Sequence, residues 1–273
     1  MRKIEDTFRS LKKHNHGALV AYVTAGDPKP KYTPRIVEAL INGGADIIEL
    51  GIPFSDPIAD GPTIQAATVR ALKAGATPKK VLKIVQGIKK NHDIPIAVLT
   101  YYNPIFKMGL KNFFKNAQKC EVDGLIVPDL TIEEANDYKM LCETYEIDTI
   151  FFAAPSTPIE RLQKIINYTS GFLYFVSLFG VTGAREKVQD LTIRQIKNFL
   201  PYTKELIPLC VGFGISKPEH VTTVIQSGAD GVIVGSVFVK IVEENQEDIK
   251  EMLEEIEKTA YQLKKATKNF KHG

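Results

Sequence analysis

The chain has 273 residues, 44% of them hydrophobic and 25% charged, with 35 basic and 32 acidic side chains and a formal net charge of +3. That length allows one large α/β barrel or two ordinary domains, and the charge is too small to imply nucleic acid as a partner. No apolar run reaches the roughly 18 residues that a membrane span needs, so no membrane partner is expected either.

The first segment, MRKIEDTFRSLKKHNHG, has no apolar signal core and predicts an amphipathic helix with Ile4, Phe8 and Leu11 on one side. Short apolar runs then recur at 18–23, 47–51, 96–99, 125–127, 149–153, 173–177, 207–211 and 232–234. They are continuous rather than alternating, as parallel strands buried on both faces require. Helical patterns lie between them, near 34–43, 62–74, 78–91, 110–119, 132–145, 158–168, 192–202 and 218–227, and a charged helix follows from 238 to 268. Eight βα units in about 250 residues predict a (β/α)8 TIM barrel, here a single domain over 1–273 with an extra N-terminal helix. A doubly wound open sheet would want a glycine-rich dinucleotide turn after the first strand, and TAGDP is not one. Several strands follow a small residue and an aspartate, at Asp46, Asp123 and Asp230, a weak repeat that favours one barrel over two domains. The three cysteines, Cys120, Cys142 and Cys210, are scattered and form no CxxC pair, which predicts reduced thiols in a reducing compartment such as the cytoplasm.

In barrels of this kind, chemistry gathers at the C-terminal ends of the strands. The most distinctive stretch there is ELGIPFSDPIADGPTIQ, from Glu49 to Gln65. A loop so long and acidic after a parallel strand is usually functional. Glu49, between Ile48 and Leu50, is expected to be desolvated, which raises a carboxyl pKa and suits proton transfer near neutrality. Asp60, between Ala59 and Gly61, is expected to stay ionised and to accept from a substrate N–H that turns acidic in the transition state. Its alternative is a cap on the helix that follows. Asp27 and Asp56 read as turn residues.

Loops after the last three strands carry Gly183, Gly214 and Gly235, with Ser236 opening a helix, which together predict a backbone-amide phosphate site. Tyr22, Ile64, Tyr101, Ile126, Phe213 and Ile233 could line an apolar slot beside it, or simply pack the barrel. No lysine stands in or just after a predicted strand, and all five histidines fall in helical or terminal segments. Proton transfer on a phosphorylated substrate, without Schiff base or metal, is the expected chemistry.

The runs YVTAGDP, ELGIPFSDPIADGPTIQ, VPDL, AAPSTP, GVTGAR, VGFGIS and GADGVIVGS occur in that order. From about Phe8 to Val239 the chain resembles the tryptophan synthase alpha family. The resemblance implies the same barrel and a retro-aldol cleavage of indole-3-glycerol phosphate to indole and glyceraldehyde 3-phosphate. It also implies an αββα complex in which indole passes to a beta subunit. No cofactor is implied for this chain; pyridoxal phosphate would belong to the beta partner. On the matching positions Glu49 is the acid/base group, Asp60 meets the indole N–H and Tyr174 supports them. Gly183, Gly214, Gly235 and Ser236 hold phosphate. Segments 53–60 and 179–189 match the mobile loops, and Thr182 matches the threonine that meets Asp60 on closure. Thr131 and Phe179 depart from the usual pattern. A stand-alone lyase, a sugar-phosphate isomerase and a catalytically silent subunit are the competing readings.

Overall fold

Parallel pairing of the apolar runs builds one nine-stranded sheet in a computed structural model that describes residues 3–177 and 185–268. The strands are β1 (Ala18–Thr24), β2 (Ile47–Gly51), β3 (Ile96–Leu99), β4 (Gly124–Ile126), β5 (Asp148–Ile150), β6 (Phe152–Ala153), β7 (Leu173–Val176), β8 (Leu209–Gly212) and β9 (Gly231–Val234). Their order is β5-β4-β3-β2-β1-β9-β8-β7-β6. One expected strand, 149–153, is therefore two. Its lower part pairs with β4 and its upper part with β7, while Phe151 O accepts from Tyr174 N between them at 2.9 Å. The sheet closes into the (β/α)8 barrel through this change of neighbour.

Inward and outward residues alternate along every strand, although both sets are apolar. Outward residues such as Leu19, Ile48, Leu125 and Phe175 join the layer beneath the helices. Inward residues such as Val20, Ile47, Ala97, Ile126, Ile150, Tyr174 and Ile233 fill the barrel. The predicted N-terminal helix spans Lys3–Lys13 and inserts Ile4 and Phe8 into that inner cluster. It plugs the end of the barrel where the strands begin.

The small-residue-Asp repeat has a physical cause. Asp46 accepts from Leu19 N, Asp123 from Ile96 N and Asp230 from Leu209 N, at 2.7, 2.7 and 2.8 Å. In each case the aspartate's own N–H bonds back to the carbonyl of that same residue. Each aspartate thus clamps the first turn of its own strand to the start of the preceding one. Lys264 reinforces Asp46, and the buried Lys89 reinforces Asp123.

Two helical boundaries differ from expectation. The helix expected over 238–268 is two, Ser236–Glu244 and Ile249–Ala266, and Asp248 starts the second by accepting from Glu251 N. A helix at Tyr102–Met108 adds to the helical pattern expected between 96–99 and 125–127. Pro104 lies in its first turn, where no intrahelical donor is needed. The Asp129 carboxylate caps it by accepting from Tyr102 N at 2.9 Å. Among the described residues no helix is long and apolar enough to cross a membrane.

Candidate active site

Strand register decides which side chains meet at the C-terminal mouth of the barrel. Tyr22 of β1 is level with Glu49 of β2, and both point inward above Val20 and Ile47. Glu49 is 1% exposed. Its Oε2 has no hydrogen-bond partner among the described residues. Burial pushes its carboxyl up to about 8, and the negative charge of Asp60 adds to the shift. A buried carboxyl oxygen without a partner is unfavourable for folding.

Asp60 does not cap the helix Pro62–Lys73; the N-cap is Gly61, with no side-chain cap bond. Its carboxylate instead accepts from the Tyr101 hydroxyl, which itself accepts from Ala59 N at 2.9 Å. Burial raises the Asp60 pKa and the tyrosine bond opposes it. Gln65 Nε2 donates to the Asp60 carbonyl at 2.8 Å, tying the end of the acidic loop to the helix. Phe54 packs on the Tyr101 ring at 5.4 Å between centroids. The two carboxyls differ in surroundings: Glu49 is sealed in, and Asp60 is half-buried beside Tyr101, with burial raising its pKa too.

Tyr174 of β7 lies in the interior cluster and is 6% exposed. Burial raises its pKa, and the charges of Glu49 and Tyr22 raise it further. Its ring meets Phe152 at 4.7 Å and Phe213 at 6.2 Å. Close approach explains two glycines beside the aromatic rings. A Cβ at Gly212 would stand 2.6 Å from Tyr174 Cε1, and one at Gly51 would stand 2.4 Å from the Tyr22 hydroxyl. Ser177 holds the turn after β8, its hydroxyl 2.6 and 2.7 Å from the carbonyls of Gly212 and Phe213. That turn has positive φ at both Phe213 and Gly214.

The helix Ser236–Glu244 starts at Gly235 with no side-chain cap. Its first N–H groups have no capping side chain, and the turn at Gly214 is exposed. Ile64 packs with Tyr22, Ala67 and Val239 between this helix and Pro62–Lys73. Ile126 and Ile233 are buried in the interior cluster with Tyr174 and form the floor of the site. Gly183, Thr182 and Phe179 lie outside the described residues, as does most of the segment 179–189. Sequence reasoning did not single out Phe152 or Ser177, whose contacts with Tyr174 and with the turn after β8 join residues remote in the chain. Asp27 is no mere turn residue: it is buried and gripped by Arg70 through two bonds, 2.8 and 2.9 Å long.

A groove of about 520 Å³ lined by Ser10, Ile41, Asp46 and His92 opens at the other end of the barrel. Asp46 there is already bonded to Leu19 N and Lys264. At the mouth, by contrast, the Glu49 Oε2 is buried with no hydrogen-bond partner among the described residues.

Comparison with known proteins gives the family. A family model described as tryptophan synthase alpha chain matches residues 8–268. The tryptophan synthase alpha chain of Methanosarcina acetivorans is 50% identical over 243 residues, which cover 89% of this chain and 87% of that one. That of Prochlorococcus marinus is 45% identical over 268 residues, 97% of this chain and 94% of the other. Tryptophan synthase subunit alpha from Legionella pneumophila has a TM-score of 0.90 at 34% identity, with 98% of both chains covered. A chain of the tryptophan synthase a2b2 complex from Pyrococcus furiosus has a TM-score of 0.84 at 42% identity, covering 91% of this chain and 98% of that chain. On a match that spans the barrel from Phe8 to Lys268, the chain belongs to the tryptophan synthase alpha chain family.

Proposed function

We propose that the mouth of this barrel carries out the alpha reaction of tryptophan synthase, cleaving indole-3-glycerol phosphate to indole and glyceraldehyde 3-phosphate, with Glu49 as the proton-transfer group. Indole is a poor carbanion leaving group, so its C3 must be protonated before the carbon–carbon bond breaks. Glu49, titrating near 8, holds a proton to give at neutral pH. Proton delivery to C3 leaves a cation whose N–H is acidic, and the Asp60 carboxylate accepts that N–H. The Glu49 carboxylate then takes the proton of the adjacent glycerol hydroxyl. The O–H pair becomes the aldehyde C=O, and the broken C–C pair returns to the ring. The proton that Glu49 gave is recovered, so the step needs no external acid or base.

Tyr174 packs under the reacting centre and keeps water from Glu49. Gly214, Gly235 and Ser236 hold the phosphate through backbone N–H groups and the helix dipole, with Gly183 assigned to the same cradle from sequence. Tyr22, Ile64, Tyr101 and Phe213 line the indole side. The beta partner follows from the a2b2 assembly of the Pyrococcus furiosus relative, and pyridoxal phosphate belongs with that partner. A cytoplasmic, reducing location fits the three scattered, buried cysteines.

The observation that carries the reading is the buried, unpartnered Oε2 of Glu49 at the barrel mouth. Indole release from indole-3-glycerol phosphate, measured with and without a beta subunit, tests it. Release that Glu49→Gln abolishes is expected, with the phosphate cradle still binding glyceraldehyde 3-phosphate. Full activity in that variant would refute the assignment.

A further inference from the structure

Three elements of the site are tied together away from the reacting centre by a single arginine. Arg70 stands in the last turn of the helix Pro62–Lys73, whose other end is preceded by Asp60. Its Nε and Nη2 bond the two oxygens of Asp27, in the loop after β1, at 2.8 and 2.9 Å. Its Nη1 bonds Glu243 Oε1 at 2.8 Å, in the last turn of the helix Ser236–Glu244. The arginine side chain is 18% exposed and that of Asp27 is 3% exposed.

The loop after β1 is pressed onto the same helix. Gly26 has positive φ, its N–H bonds Thr33 Oγ1, and a Cβ there would stand 3.4 Å from Ala71 Cβ on that helix and 2.6 Å from Ala76 Cβ just beyond it. Nearer the mouth, Tyr22, Ile64, Ala67 and Val239 form the apolar contact between the two helices. That contact is small and non-directional, so it fixes separation poorly. The planar fork on Asp27 and the third bond to Glu243 supply direction.

We propose that Arg70 is a positioning residue for the cleavage reaction. By clamping the helix behind Asp60 to the helix behind Ser236, it sets the span between the indole-facing carboxylate and the phosphate-holding amides. This rests on the function proposed above: one substrate must reach both ends at once, and a misplaced span weakens that fit even where each end is intact. Neither a small phosphate ligand nor the fold itself needs the span to be right.

The test compares wild type, Arg70→Met, Arg70→Lys and Glu243→Gln as full chains with a beta subunit, well below their melting temperatures. Two quantities are read: kcat/KM for indole-3-glycerol phosphate, and the Kd of sn-glycerol 3-phosphate, which occupies only the phosphate end. Arg70→Met is expected to lower kcat/KM at least tenfold while Kd moves less than twofold. Arg70→Lys, which keeps the charge but gives up the fork, recovers part of the loss, and Glu243→Gln loses two- to fivefold. If Arg70→Met does not fold, the other two variants still decide. Unchanged kcat/KM in the folded variants, or a Kd that weakens in step with kcat/KM, would overturn the proposal. No indole release from the wild type would instead refute the lyase function, and the positioning role with it.

Discussion

Glu49 makes a prediction about stability that is independent of any substrate. Its carboxyl titrates near 8 in the folded chain against an ordinary 4.5. The folded state therefore holds a proton that the unfolded state has released across that window. Stability must fall as pH rises from 4.5 towards 8. Linkage puts the destabilisation at about 1 kcal/mol at pH 5 and about 4 kcal/mol at pH 8. Glu49→Gln removes this pH dependence. Its amide also brings a buried donor without a partner, a loss of about 1–3 kcal/mol that does not vary with pH. The diagnostic is thus the change in the difference between variant and wild type. Urea unfolding followed by circular dichroism at pH 5, 6, 7 and 8 should show the variant gaining about 3 kcal/mol on the wild type across the series. Curves that stay parallel from pH 5 to 8 would refute the claim that Glu49 is buried and protonated, and with it the source of its acidity at neutral pH.

Other expectations follow from named contacts. Asp60→Asn removes the N–H acceptor and should lower kcat about 10²- to 10³-fold. It also takes a negative charge from beside Glu49, so the limb of the pH–rate profile assigned to Glu49 should move to lower pH; an unmoved limb would separate the two carboxylates. Gly212→Ala places a methyl group against the Tyr174 ring and should cost about 1–3 kcal/mol by calorimetry together with a loss of kcat. Lys89→Met strands the Asp123 carboxylate at the base of β3 and β4 and should destabilise by about 3–5 kcal/mol; an unaltered midpoint would show that the aspartate clamp alone suffices. Phe8→Ala empties part of the barrel plug and should cost about 3–5 kcal/mol, measured the same way.

The strands were legible because burial on both faces leaves continuous apolar runs. The division of the strand expected at 149–153 was not, because the change of neighbour at Phe151 is a hydrogen-bonding event that leaves the side-chain alternation of Ile150, Phe151 and Phe152 intact. Glu49 announced itself as an acid inside an apolar strand. Asp27 did not, since TAGDP has the composition of a turn and its arginine lies 43 residues further on. A separation of 27 residues likewise hid the cap that Asp129 places on the helix at Tyr102. What local composition encodes was readable. Partnerships between remote residues became visible only once the barrel had brought them together.

The N-terminal helix and the floor of the site draw on one shared interior. Ile4 and Phe8 occupy the same cluster as Ile126, Tyr174, Cys210 and Ile233. Volume inside a closed barrel is a common resource, and a methyl group gained on one side must be surrendered on another. Substitutions under the active site therefore have natural compensators in the plug. Drift at Phe8 could be balanced by a larger residue at Ala97 or Cys210, so the two ends of this barrel should evolve as one unit even though only one of them touches substrate.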